Sequence, residues 1–355
     1  APRFLTSYYL MISLGGALAG VFAGVLAPRL FTGHHELPLA LAFCAALMLH
    51  ATHNDAASRV ARAAWFAGLL AALALCVQLA AQIAQQQRHA RVLARNFYGV
   101  LSVRDEPRGP QHDLRRVLMH GSIIHGEEFL DDARARQPIT YYTSASGIGR
   151  ALATLQPRGA LRIGVVGLGA GTLAAYGRAG DVCRFYELNP QVIDIAQREF
   201  RFLSLSPAQI ELVPGDARLS LQSEAPQQYD LLAVDAFSGD AIPVHLLTLQ
   251  AFQLYLSHLK TAGVLALHLT NRHLDLLPVA AAAAQRLHLA GVRIDTAPAA
   301  DDSMTASTWV LLSRDAAVIA AAPIAAAAQP LPPPARAWTD DYSSAAGALK
   351  WRSGR

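Results

Sequence analysis

Residues 163–187, IGVVGLGAGTLAAYGRAGDVCRFYE, decide how this chain is read. A short apolar run opens into glycines at 167, 169 and 171, and a second β-rich run ends on Glu187. Gly167 lets the chain turn sharply at a strand's end, and Gly169 and Gly171 carry no side chains to hold a ligand off the backbone. Glu187 follows about twenty residues after the first glycine, the position at the tip of a neighbouring strand where a carboxylate can accept from both ribose hydroxyls.

A plain strand-to-helix turn also favours glycine, so spacing has to separate the readings. The dinucleotide fingerprint needs GxGxxG, whose last glycine packs a helix on the strand beneath a pyrophosphate. Here the third glycine comes one residue early, and nothing basic beside it suggests phosphate. GxGxG followed by an acidic strand end suits adenosine carried on a sulfonium, as in S-adenosylmethionine, better than NAD. Downstream, IELVPGDARLSL supplies a third strand and then Gly215-Asp216-Ala217. The Asp216 carboxylate either accepts from an adenine amino group or caps the helix that follows.

The pattern outside this stretch divides the chain into four regions. Residues 1–90 carry the apolar excess that brings the 355-residue chain to 53% hydrophobic residues and a mean hydropathy of +0.25. Ser7 to Ala27 and Ala63 to Ala84 contain no charged residue, and each is long enough to cross a hydrocarbon layer about 30 Å thick. Leu37 to Leu49 is shorter and reads as a third, partial span or as a hairpin element, giving two to three spans. Gly16, Gly20 and Gly24 share one helical face, which predicts helix-helix association in the membrane and a homo-oligomer. Arg88, Arg91 and Arg95 follow the last span and place the rest of the chain in the cytoplasm by the positive-inside tendency, although Arg59 and Arg62 pull the other way. The expected location is a bacterial inner membrane, crossed several times.

Residues 91–144 read as a small β-hairpin module, FYGVLSV and LRRVLMHGSII about the turn-forming DEPRGPQHD. Residues 145–314 alternate strands and helices, the signature of an α/β, Rossmann-like doubly wound parallel sheet. Within them YDLLAVD is a buried strand, HLLTLQAFQLYLSHL an amphipathic helix and GVLALHLTN the next strand. Residues 315–355 open with an Ala/Pro-rich stretch, expected to be a flexible linker, and close with WTDDYSS.

Composition excludes some classes of function. The formal charge of +4 is small for this length and spread along the chain, with no basic run interleaved with aromatics, so no nucleic-acid partner is expected. Cys44, Cys76 and Cys183 show neither disulfide nor zinc spacing, and the histidines show no ligand cluster, so no metal is expected.

In a parallel sheet ligands gather at the carboxyl ends of the strands, where strand order reverses. The strand YDLLAV leads into DAFSGDAIP, so Asp235 should emerge at that crevice with Asp240 on the loop beyond. Two carboxylates near a sulfonium suit amine chemistry, because a protonated amine cannot attack carbon. With an amine pKa of about 10, freeing the base at neutral pH costs roughly 4 kcal/mol, a task for a positioned carboxylate. The alternative is that Asp235 caps the next element and Asp240 is a solvated turn residue.

The ordered set FYGVLSV, HGSIIHG, ITYY, GLGAGT, YELNPQV, GDA and VDAFSGD resembles the spermidine synthase family, the polyamine aminopropyltransferases, over roughly residues 96–295. The membrane stretch and WTDDYSS look like a bacterial branch in which this domain is fused to membrane helices. The resemblance implies a class I S-adenosylmethionine-dependent transferase fold. By position it implies Glu187 on the ribose, Asp216 and Ala217 at the adenine, Asp235 as the base and Tyr142 lining the amine channel. Departures bear on specificity. The family's aspartate that binds the amine of decarboxylated S-adenosylmethionine is Gly169 here, and its arginine-glutamate pair is Ala174-Ala175. Its tyrosine-histidine-glutamate string is Tyr141-Tyr142-Thr143, and its glutamine beside the first hairpin is Ile124 or His125.

The expected activity is a membrane-anchored transferase that cleaves decarboxylated or intact S-adenosylmethionine to 5'-methylthioadenosine and passes the (carboxy)aminopropyl group to an amine. Three alternatives stand beside it: a lyase or cyclising enzyme without acceptor, a methyltransferase, and a non-catalytic nucleoside sensor in the membrane.

Overall fold

The computed structural model describes residues 4–53, 58–237, 242–300 and 302–350. The chain forms two compact units, Ala1–Arg104 and Asp105–Arg355.

In the first unit three helices are long and apolar enough to cross a membrane: Leu5–Leu30, Glu36–His53 and Arg59–Gln85. The ambiguous middle segment is thus a helix of 18 residues, running on past the apolar Leu37 to Leu49 through His50 to His53. Almost none of their surface is covered by the other described residues. The second and third spans pack together, and the Trp65 indole donates to the Leu49 carbonyl at 2.8 Å. A Cβ at Gly16, Gly20 or Gly24 would meet nothing within 4 Å, so the small-residue face has no partner among the described residues.

Strand β1 (Val92–Asn96) pairs antiparallel with β2 (Gly99–Arg108). Phe97-Tyr98, expected in a strand, forms the turn between them, where the Asn96 side chain accepts from the Tyr98 N–H at 2.9 Å and Gly99 takes a positive φ. On β1, Arg95 reaches back to the loop before the second span. It donates to the Gly33 carbonyl at 2.5 Å and to both Glu36 oxygens at 2.7 Å.

In the second unit β3 (Asp113–His120) and β4 (Ile123–Phe129) form an antiparallel pair turning at Gly121-Ser122. Asp105 to Arg108 lie in β2, so the expected turn DEPRGPQHD shortens to residues 109–112. Buried Glu128 on β4 fastens this pair to the sheet domain by accepting from Arg201 Nε at 2.5 Å and from its backbone N–H at 3.0 Å.

The doubly wound sheet follows: β5 (Arg162–Val166), β6 (Val182–Glu187), β7 (Gln209–Pro214), β8 (Tyr229–Val234), β9 (Leu259–His268), β10 (Ala290–Thr296) and β11 (Ser307–Ser313). Its order is β10-β11-β9-β8-β5-β6-β7, with β5 to β9 parallel and β11 antiparallel to both its neighbours. The order reverses at β5, which lies between β6 and β8. Helices start where side chains can take their free N–H groups: Ser146, Asn189, Asp216 and Thr248 each accept from the first turn of the helix they precede.

Two stretches depart from expectation. Between β5 and β6 there is no α-helix, only a 3-10 turn at Thr172–Tyr176, because Gly177 and Gly180 interrupt the short connection. The Ala/Pro-rich stretch is packed rather than a flexible linker. Short helices at Ala316–Ile319 and Ala322–Ala325 bury Val318, Ile319 and Ile324, and Gln329 exchanges backbone hydrogen bonds with Arg293. The tail is fastened as well: Trp338 is buried, and Asp340 binds Arg218 at 2.5 Å and Thr248 at 2.7 Å.

Candidate active site

The site is built by register. Val166 of β5 pairs with Tyr186 and Val234, and Val234 pairs with Leu267. The next residues, Glu187, Gly167, Asp235 and His268, therefore stand abreast at the carboxyl ends of four parallel strands. The antiparallel pairing of β9 with β11 adds Trp309 beside His268. Gly167 N–H donates to the Tyr186 carbonyl at 2.8 Å and Asp235 N–H to the Val166 carbonyl at 2.9 Å, which locks the row.

The three loop glycines are needed, at φ of +98°, +54° and +82°, but their neighbours are protein. A Cβ on Gly167 would collide with the Asp235 carbonyl, one on Gly169 would lie 2.6 Å from the His125 carbonyl, and one on Gly171 would lie 3.0 Å from the Leu203 side chain. Gly126 is pressed in the same way against Ala170 at 2.6 Å. β4 and the short Phe202–Leu205 helix thus pack on the loop where Gly169 and Gly171 lack side chains.

Glu187 lies at the strand tip as expected. One carboxylate oxygen accepts from Leu168 N–H at 2.9 Å and the other from Asn189 N–H at 2.8 Å. Burial pushes its carboxyl above the usual range, and the backbone donors oppose this. The Leu188 N–H also acts on this carboxylate, so three backbone donors hold it at the strand tip. Asp216 is the helix cap, accepting from Leu219 N–H at 2.9 Å, while its other oxygen lies 3.3 Å from Nε2 of half-exposed His245. Ala217 begins that helix and is buried.

Asp235 follows the end of β8 and stands in the row. Its side chain is 4% exposed, and both oxygens are engaged: Tyr142 Oη donates to Oδ2, and His268 Nδ1 is 2.7 Å from Oδ1. Four lone-pair positions minus two leaves room for one further donor on each oxygen. Burial and the Asp235 charge push the Tyr142 hydroxyl well above its ordinary value, so it remains a donor. Tyr176 fixes the backbone there, donating to the Tyr142 carbonyl at 2.5 Å.

His125 sits on β4 with its Nε2 buried and without a hydrogen-bond partner. Its pKa is lowered to about 4, first by burial and then by His120, whose ring lies 5.3 Å away. Asp240 lies outside the described residues. Among the described residues no three His, Cys, Asp or Glu side chains gather as a metal site would require.

Sequence reasoning missed His268, Thr270 and Trp309. The available signal was one histidine in the otherwise apolar strand GVLALHL.

A sheet of this order with an antiparallel strand beside its far edge, a glycine turn after β5 and an acidic tip on β6 defines a class I S-adenosylmethionine-dependent transferase fold. No family model matches the chain. A curated polyamine aminopropyltransferase from Vibrio vulnificus is 31% identical over 114 residues, 29% of this chain and 36% of that protein. The chain thus spans about a third of the length of the curated relative it matches. A probable spermidine synthase from Corynebacterium glutamicum is a structural neighbour with a TM-score of 0.48 and 18% identity, covering 61% of this chain and 77% of that one. Spermidine synthase from Thermotoga maritima gives a TM-score of 0.43 at 14% identity, with 62% and 71% covered. The similarity to the curated polyamine aminopropyltransferase is confined to that stretch of 114 residues.

Proposed function

We propose that the chain is a membrane-anchored, spermidine-synthase-like transferase. It cleaves decarboxylated or intact S-adenosylmethionine to 5'-methylthioadenosine and passes the (carboxy)aminopropyl group to an amine. The observation that carries this reading is the row of Glu187, Gly167 and Asp235 at the switch point, with the buried carboxylate held by Tyr142 and His268. Glu187 holds the ribose, and the loop after β5 lies under the sulfonium.

In the reaction the amine lone pair attacks the methylene carbon next to sulfur. The carbon–sulfur bond breaks, its electron pair stays on sulfur as a neutral thioether, and the amine proton passes to Asp235. The leaving group needs no protonation, so catalysis reduces to alignment and proton removal. Tyr142 holds Asp235 from one side as the amine approaches, and the amine-binding role is assigned to Tyr142, His125 and Asp240.

The loop from Gly167 to Tyr176 contains no charged residue, which favours a second reading for the donor. Without a carboxylate beside the cofactor tail, the carboxylate of intact S-adenosylmethionine meets no repulsion there. That carboxylate can then close on its own chain and release methylthioadenosine without any acceptor.

The three apolar helices support anchoring in a bacterial inner membrane, and Arg88, Arg91 and Arg95 support a cytoplasmic catalytic domain. The face of Gly16, Gly20 and Gly24 is where a second copy would pack.

The test is incubation of purified protein with intact or decarboxylated S-adenosylmethionine, with and without putrescine, and identification of products by mass spectrometry. Methylthioadenosine with an alkylated amine supports transfer, methylthioadenosine without putrescine supports cyclisation or hydrolysis, and S-adenosylhomocysteine would make it a methyltransferase. No product under any condition removes the enzymatic reading. Asp235→Asn separates enzyme from sensor, since a sensor keeps both affinity and function whereas an enzyme keeps affinity and loses turnover.

A further inference from the structure

His268 is a group that the proposed reaction does not itself use, and its Nδ1 lies 2.7 Å from Asp235 Oδ1. Its surroundings determine which ring nitrogen carries the hydrogen. Thr308 N–H, which can only donate, points at Thr270 Oγ1 at 2.9 Å. The Thr270 hydroxyl keeps its own hydrogen and a second lone pair, so it can give to His268 Nε2 or take from it across their 2.7 Å, and the carboxylate decides: Asp235 Oδ1 offers only lone pairs and needs the ring hydrogen on Nδ1. The hydrogen on the ring is then left on Nδ1, facing Asp235 Oδ1. The reverse arrangement would set a nitrogen lone pair against a carboxylate oxygen.

The ring is also fixed in its plane. Trp309 stacks on one side with centroids 4.6 Å apart and planes 13° apart, and Tyr141 on the other at 4.5 Å and 28°. Trp309 Nε1–H donates to the Tyr141 carbonyl at 3.2 Å and joins the two walls, while Phe237 meets the ring edge at 5.1 Å. A histidine held on both faces and at both nitrogens is a rigid donor.

We propose that His268 is a positioning residue for Asp235, a δ-protonated imidazole locked by Thr270 that holds the carboxylate in the orientation from which it takes the amine proton. The proposal rests on the transferase reading above. A donor fixed before the substrate arrives spares the reaction the ordering of its base, and the benefit falls on the chemical step.

Two variants test this. His268→Phe keeps a ring between Tyr141 and Trp309 and removes the donor, whereas His268→Asn puts an amide N–H near the place of Nδ1–H. His268→Phe should lower kcat for methylthioadenosine release about 10- to 100-fold with KM within about twofold. His268→Asn should recover to within about fivefold of wild type. Nitrogen NMR of labelled histidine in the resting full-length protein should show His268 protonated on Nδ1. Wild-type turnover with an unchanged His268→Phe variant overturns the proposal, as does a ring protonated on Nε2 alone. Equal losses in both variants, each with a native circular dichroism spectrum, reduce His268 to packing and also overturn it. A wild-type protein that releases no methylthioadenosine from either donor overturns the transferase reading itself, and this proposal with it.

Discussion

Replacing Tyr142 by Phe removes one oxygen and leaves the ring in place. The ring is 6% exposed, so packing is retained and the change isolates the hydrogen bond to Asp235 Oδ2. The Asp235 side chain is 4% exposed, and water has little access to replace the lost donor. A hydrogen bond to a charged group in such a place contributes about 1.5–3 kcal/mol, and that is the expected loss of folding stability. Where the carboxylate must stay aligned through proton transfer, the same energy lowers kcat by about 10- to 150-fold. KM for the sulfonium donor should hold, because Tyr142 is not beside Glu187 in the row. The assay is initial-rate release of methylthioadenosine at saturating donor, with urea unfolding followed by circular dichroism on the same preparations. A variant that unfolds at the wild-type midpoint and turns over at the wild-type rate would show that Asp235 needs no donor on that oxygen. The assignment of Asp235 as a held base would then fail.

Three further outcomes follow from neighbouring residues. Gly169→Ala would bring a Cβ to 2.6 Å from the His125 carbonyl at a φ of +54°, and should cost about 2–4 kcal/mol in urea unfolding; a neutral effect would mean that β4 does not press on the loop. Glu187→Gln replaces one acceptor oxygen by an amide that opposes the Leu168 or Asn189 N–H, and should weaken methylthioadenosine binding at least about tenfold by titration calorimetry; unchanged affinity would remove Glu187 from the ribose site. His125 has a folded pKa of about 4 against about 6.5 when unfolded, so below pH 6.5 the unfolded chain binds the extra proton. Its contribution is intact above pH 6.5 and is lost as pH falls to 4, by up to about 1.4 kcal/mol per unit, and His125→Leu should flatten the stability profile in that window alone.

The strand pattern of the sheet domain was legible because its strands are short apolar runs bounded by glycine or by capping residues, and such runs have few other uses in a chain of this composition. The glycine turn and the acidic tip were legible by spacing alone. Where the reading went astray, local composition and tertiary packing disagreed. Phe97-Tyr98 looks like strand, yet Asn96 and Gly99 make it a turn. The Ala-rich stretch after Ser313 looks like linker, yet three large aliphatic residues, the pair Val318-Ile319 and Ile324, are enough to dock it. Sparse anchors in a low-complexity frame leave no period to detect.

The candidate site divides in the same way. Glu187, Gly167 and Asp235 could be found because each ends a strand whose apolar run points to it. His268 could not, although it ends a strand as well, because a histidine acquires its role from partners set by register. Asp235 comes from β8, Thr270 from beyond β9, Trp309 from β11 and Tyr141 from a turn more than a hundred residues earlier. The distinction also bears on the glycines. Their spacing pointed to the turn, but only the packing shows that Gly169 also makes room for the His125 carbonyl. A glycine motif therefore reports a tight backbone approach without saying what approaches, and in this chain β4 closes over the loop and brings His125 to the edge of the row that holds Asp235.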